Sequence, residues 1–159
     1  SAALCLQQEM RHYVSGDDAR RVSENTWELM NFLADLRRRG RLKAPTAGVP
    51  DEFVYHLPCH LCAVGDETVT LKLLGEHFGV KVTDLRAGCC GLSGTFGMQK
   101  KNYDLADRIS ESLRNAIATA SMRNVLTECA ACMMQIEHIG EVTVTHPIKL
   151  LARAYGVAR

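Results

Sequence analysis

Two consecutive cysteines, Cys89 and Cys90, followed at once by Gly91, restrict what this chain can fold into more than any other feature of its sequence. They can hardly bridge to each other. Consecutive Cα atoms sit about 3.8 Å apart, whereas an ordinary disulfide wants about 5.5–6 Å. Two thiolates delivered from one point of the backbone, with glycines at 88 and 91 to let the loop fold tightly, can instead grip different atoms of one polynuclear cluster. Cys59 and the Cys129-Ala130-Ala131-Cys132 box add three more thiols, so five cysteines in three places mark a candidate metal or iron–sulfur protein.

The fold must bring these places together. Phe53 to Leu57, Val80 to Leu85, Asn124 to Thr127 and Glu141 to Thr145 read as four short strands. Helical patterns separate them over Val64 to Phe78, about Lys100 to Ala120, and from the Cys129 box onward; a last helix, Pro147 to Tyr155, carries proline in its first turn. Such alternation predicts an α/β fold: a parallel four-stranded sheet with helices on both faces, Rossmann-like. Loops at the C-terminal strand ends build the sites of such sheets. Cys59, Cys89, Cys90 and Cys129 each lie just after a predicted strand. They are expected at one edge.

N-terminal helices precede this unit. Ala2 to Val14 reads as an amphipathic helix already in mid-flow, and because Ser1 is not a methionine the sequence is read as a cut piece. From Asp17 to Arg39, Val22, Trp27, Leu29, Met30, Leu33 and Leu36 recur at three- and four-residue steps, which predicts one long helix ended by Gly40. Residues 44–51 hold two prolines and a glycine without periodicity and form a linker.

At 159 residues the chain fits one domain with a real core. A formal charge of +1, with both signs spread throughout, argues against nucleic acid as a partner. The one basic cluster, Arg37, Arg38, Arg39, Arg41 and Lys43, suits a solvated helix end, with docking to an acidic partner or membrane surface as the rival. Seven cysteines is an odd number. With no signal peptide, no secreted-type spacing and no apolar run of about 18 residues, a reducing cytoplasm is expected and direct membrane insertion is not.

Twenty-nine residues separate Cys59 from Cys89, and 37 lie between Gly91 and Cys129, unlike a local zinc knuckle. Five thiolates also exceed the four that suffice for zinc or a cubane cluster. Cys129-x-x-Cys132 opens a helix, where the dipole and free N–H groups stabilise thiolate. Alone it would suggest a thioredoxin-like dithiol, which needs no other cysteines. Cys5 reads as a core residue, and Cys62 stays open between spare thiol and ligand. His60 and His146 could bond cluster sulfides, line a pocket or serve structure; a Cys59–His nucleophile is a further alternative. Gly91-Leu92-Ser93-Gly94-Thr95-Phe96-Gly97 lacks the P-loop Lys-Ser/Thr and a complete dinucleotide fingerprint, so its glycines read as allowing close approach to the cluster.

The set Pro58-Cys59-His60, Cys89-Cys90-Gly91 with Gly94-Thr95-Phe96-Gly97, Cys129-x-x-Cys132 and His146-Pro147 resembles the cysteine-rich CCG domain family over about residues 52 to 155. That family includes the iron–sulfur subunits of heterodisulfide reductase, glycolate oxidase, lactate-utilisation systems and anaerobic glycerol-3-phosphate dehydrogenase. The resemblance implies that Cys59, Cys89, Cys90, Cys129 and Cys132 are metal and cluster ligands, holding a 4Fe–4S cluster that in heterodisulfide reductase is non-cubane; some relatives bind zinc instead.

Tandem halves are usual in such proteins. The resemblance therefore makes 1–43 the tail of a first CCG half plus its connecting helix and 52–159 the second half. Its implied role is electron relay within an oxidoreductase complex. The electrons would pass from a flavin-dependent dehydrogenase of a small hydroxy acid or glycerol 3-phosphate to an acceptor such as quinone. FAD would sit on a partner subunit or a fused upstream domain, and any membrane association would run through a partner. Two alternatives are a zinc-stabilised interaction module and thiol–disulfide reduction at the cluster.

Overall fold

The computed structural model describes residues 2–64 and 67–157. Its N-terminal part is helical. Helix α1 (Ala2–Leu4) runs on as wound turns to His12, and α2 (Asp17–Asn25) and α3 (Leu29–Arg38) follow. The single helix expected over Asp17 to Arg39 is thus broken. Asn25 Nδ2 and Thr26 Oγ1 bond back to the carbonyls of Arg21 and Val22, which satisfies the end of α2 locally. The Glu28 carboxylate then accepts from the backbone N–H groups of Met30 (2.8 Å) and Asn31 (3.2 Å) and starts α3 afresh. At the other end of α3, Asp35 takes Arg38 and Arg39 while Arg37 reaches Glu76, so this basic cluster lies at a helix end with several cations paired.

Four strands follow: β1 (Glu52–Tyr55), β2 (Lys81–Asp84), β3 (Asn124–Leu126) and β4 (Thr143–Thr145). They form one sheet in the order β2-β1-β3-β4, every pair parallel. Tyr55 stands opposite both Asp84 and Leu126, and Leu126 opposite Thr145. All four strands therefore end level along one edge. The chain steps from β1 outward to β2 and then back across to β3, which puts the topological switch between β1 and β3.

Five helices complete the unit: α4 (Cys59–Val64), α5 (Val69–Lys72, continued as a wider turn through His77), α6 (Tyr103–Thr119), α7 (Ala130–Ile139) and α8 (Pro147–Ala154). Strand alternation divides the core in two. Phe53, Tyr55 and Leu126 pack on one face with Leu73, Leu74, Phe78, Leu150, Leu151 and Met30 from α3. On the other, Val54, Val125 and Val144 meet Leu113 and Ile117 of α6 and Ile136 of α7. Burial on both faces is what a parallel sheet requires, and it gives the predicted architecture. Helix α4 was not anticipated. Pro58 directly before it, whose carbonyl takes the Leu61 N–H at 3.0 Å, is the signal for its start. Of the helix expected over Val64 to Phe78, residues 65 and 66 lie outside the described residues and the turns begin at Val69. The linker is tied down as well, since Thr46 and Ala47 N–H groups bond to the Ala154 carbonyl and Val49 is buried.

The glycines of the Cys89-Cys90 loop have a packing role as well. At Gly91, whose φ is +90°, an added Cβ would lie 2.2 Å from the Ala106 carbonyl oxygen; at Gly97 it would lie 2.8 Å from the Ala106 Cβ. The close approach seen at both is to Ala106 of α6. Gly94, at φ +66°, has open space around it and serves a turn. Substituting Gly91→Ala is therefore expected to lower the free energy of unfolding by about 2 kcal/mol or more, read by urea denaturation, because strained φ and a backbone clash add.

Candidate metal centre

The level strand ends place the cysteines. Cys59 opens α4 four residues after β1, Cys89 and Cys90 lie in the loop after β2, and Cys129 is the N-cap of α7 directly after β3 with Cys132 in the first turn. Cys59 and Cys129 thus flank the switch between β1 and β3. All seven cysteines of the chain are free thiols.

Sulfur to sulfur, Cys132 is 3.2 Å from Cys90, and both are buried, 3% and 4% exposed. The Cys132 thiol donates toward Cys129 and Cys90, so its own proton is held tightly and its pKa rises. Cys129 lies well below the ordinary thiol range: Cys132 contributes most, His60 next, and the free N–H groups at the start of α7 add to both. Cys90 is likewise lowered, first by Cys132 and then by the Leu92 N–H. Burial pushes the Cys89 thiol up, although the Gly91 N–H donates to its sulfur at 3.3 Å.

Cys59 and Cys89 are exposed and line one open pocket of about 390 Å³ with Cys62, Glu67, Asp84 and Arg86. The five sulfurs expected as ligands therefore neighbour one another in succession: Cys59 beside Cys89, Cys89 beside Cys90, Cys90 against Cys132, Cys132 against Cys129. Among the described residues, no three His, Cys, Asp or Glu side chains are arranged around a single ion position.

Other expected residues fall in place differently. His60 touches Cys129, whereas His146 is the N-cap of α8, its Nδ1 accepting from the Ile148 N–H at 3.1 Å, and so serves structure. Cys5 is exposed, not in the core: residues 3, 4, 7 and 10 form the half-buried stripe of its helix, and position 5 lies off it. Cys62 points its sulfur toward the Pro58 carbonyl at 3.9 Å, and burial raises its pKa.

Three residues escaped sequence reasoning. His56, 2% exposed, and Thr127, wholly buried, follow β1 and β3 directly; neither the ring nitrogens of His56 nor the Thr127 hydroxyl has a hydrogen-bond partner among the described residues. Glu128, beside Cys129, accepts from the Tyr55 hydroxyl (2.9 Å) and the Thr70 hydroxyl (2.6 Å), and burial raises its carboxyl pKa. The only signal in the sequence was phase: His56 and Thr127 continue the alternation of Val54 and Val125 onto a core face.

Residues 53–137, more than half of the chain, match the family described as Cysteine-rich domain, CCG. This chain belongs to that family. It is 38% identical over 110 residues to the C subunit of anaerobic glycerol-3-phosphate dehydrogenase of Escherichia coli K12, covering 69% of this chain and 28% of that protein. It is 31% identical over 106 residues to lactate utilization protein A of Geobacillus thermodenitrificans, covering 62% of this chain and 43% of the relative. Against D-2-hydroxyglutarate dehydrogenase of Escherichia coli K12 it is 31% identical over 76 residues, 47% of this chain and 8% of the relative. The chain thus spans less than half the length of each of these relatives. No solved structure matches it. Among the described residues no helix is long and apolar enough to cross a membrane.

Glu128 gives the CCG domain a pH dependence of known sign. With its folded pKa raised, the stability linked to the protonated carboxyl is fully present below the ordinary carboxylate range and is lost as pH rises through the raised value. Glu128→Gln is expected to flatten the decline in unfolding free energy as pH rises above the ordinary carboxylate range, measured by urea titration at successive pH values.

Proposed function

We propose that this CCG domain holds an iron–sulfur cluster through Cys59, Cys89, Cys90, Cys129 and Cys132 and relays electrons within an oxidoreductase complex. The observation that carries this reading is the run of neighbouring thiols at one sheet edge, with buried Cys90 and Cys132 in sulfur contact at its centre. Soft cysteine sulfur fits iron, and five such ligands exceed the four of an ordinary cubane, as a 4Fe–4S group of non-cubane form would use. When bound, the cluster supplies one-electron chemistry. The chain's own residues do the rest: the first-turn N–H groups of α7 and His60 donate toward Cys129, and the sheet edge leaves the inner pair buried.

The relatives bear names of dehydrogenase and utilisation systems for glycerol 3-phosphate, lactate and 2-hydroxyglutarate. We read this domain as serving oxidation of a substrate of that class, a small hydroxy acid or polyol phosphate, with the flavin on a partner subunit or an upstream domain and quinone as a suitable acceptor. Residues 1–43 would then be the tail of a first CCG half with its connecting helix, and residues 52–159 the second half, working in the cytoplasm. Zinc as a folding ion held by the same cysteines is the alternative reading.

Anaerobic purification followed by iron, acid-labile sulfide and zinc analysis tests the proposal. Iron and sulfide in comparable amounts are expected. Cys90→Ala, Cys129→Ala and Cys132→Ala should each lower iron retention about tenfold or more, while Cys5→Ala leaves it unchanged. Stoichiometric zinc without sulfide would refute it.

A further inference from the structure

We infer that His56 and Thr127 are hydrogen-bond donors to the sulfur of the group held by the five cysteines, and that they set its reduction potential. This rests on the iron–sulfur reading above and names residues that reading does not use. Both side chains sit immediately beyond the C-terminal ends of β1 and β3, the two strands that border the topological switch.

Their placement is fixed by backbone pairing that outlasts the strands. The His56 N–H bonds to the Leu126 carbonyl at 2.9 Å and the Thr127 N–H to the Thr145 carbonyl at 3.3 Å. Alternation then turns both side chains to the face where Val54 and Val125 pack with Cys90 and Cys132. The His56 ring lies within electrostatic range of Cys129.

Buried polar atoms in folded proteins nearly always find a partner. Here three of them, Nδ1 and Nε2 of His56 and Oγ1 of Thr127, have none among the described residues, on the sheet face whose core includes Cys90 and Cys132. An imidazole ring carries at least one N–H in either protonation state, so His56 has a proton to donate. The Thr127 hydroxyl supplies a second donor. Sulfur carrying negative charge is the acceptor class that this corner of the fold presents. Donation to it favours the reduced, more negative state.

The test uses the anaerobically purified protein with iron and sulfide present, and reads the reduction potential and the Fe–S stretching bands. His56→Leu is expected to shift the oxidised-to-reduced ratio about tenfold toward the oxidised form, 59 mV for a one-electron couple. Thr127→Val, which keeps shape and removes only the hydroxyl, should shift it less in the same direction. His56→Gln, retaining an N–H donor, should recover most of the loss. Wild-type potential and bands in both His56→Leu and Thr127→Val, at full iron content, would overturn the inference while leaving the cluster reading intact. Loss of iron from His56→Leu with Thr127→Val at the wild-type potential would also overturn it, making His56 a ligand or a packing residue. Absence of iron and sulfide from the wild type would instead defeat the cluster reading and this inference with it.

Discussion

The parallel register at Tyr55 is the constraint on which everything else depends. Because Tyr55 stands level with Asp84 on one side and Leu126 on the other, and Leu126 with Thr145 beyond, the segments leaving β1, β2 and β3 emerge at the same height. Residues 59, 89, 90, 129 and 132 are far apart along the chain, yet only that height brings them together. A slip of one residue in β3 would turn Val125 and Thr127 to the opposite face and carry Cys129 away from its neighbours. The two-sided core resists such a slip, since Leu126 and Val125 are each completely buried among different helices.

Presentation of the cysteine pair depends on α6 as much as on β2. The loop is drawn against Ala106 at two glycines, which leaves Cys90 inside and Cys89 outside. One backbone turn thereby delivers one thiol to the interior and one to the surface. Helix α7 contributes differently: Cys129 stands at its N-cap, and the first-turn N–H groups, unspent by helix bonding, help lower the pKa of its thiol.

Much of the fold could be read from apolar patterning. Short β-prone runs separated by helical periods gave the parallel α/β unit, and proline at position 147 marked the start of α8. The break at Asn25-Thr26 could not be read that way, because local side-chain bonds to Arg21 and Val22 compete with a hydrophobic period that runs straight through them. The clustering of thiols was legible in the positions of Cys59, Cys89, Cys90 and Cys129 after strands. His56, Thr127 and Glu128 were not, since a lone polar residue at a strand end reveals its surroundings only once the neighbouring strand and helix are in place. Cys5 illustrates a related gap: in a helix of about three turns, few apolar residues define which side is inward.

Exposure changes steeply across the thiol run, from open Cys59 and Cys89 to sealed Cys90 and Cys132. Such a gradient gives the site an outer door and an inner wall. Oxidants arriving from solvent meet the outer sulfurs first, so damage proceeds inward from the β2 side, whereas the inner pair is shielded until the outer contacts fail. The same open side, lined by Arg86 and Glu67, is where the thiol run meets solvent.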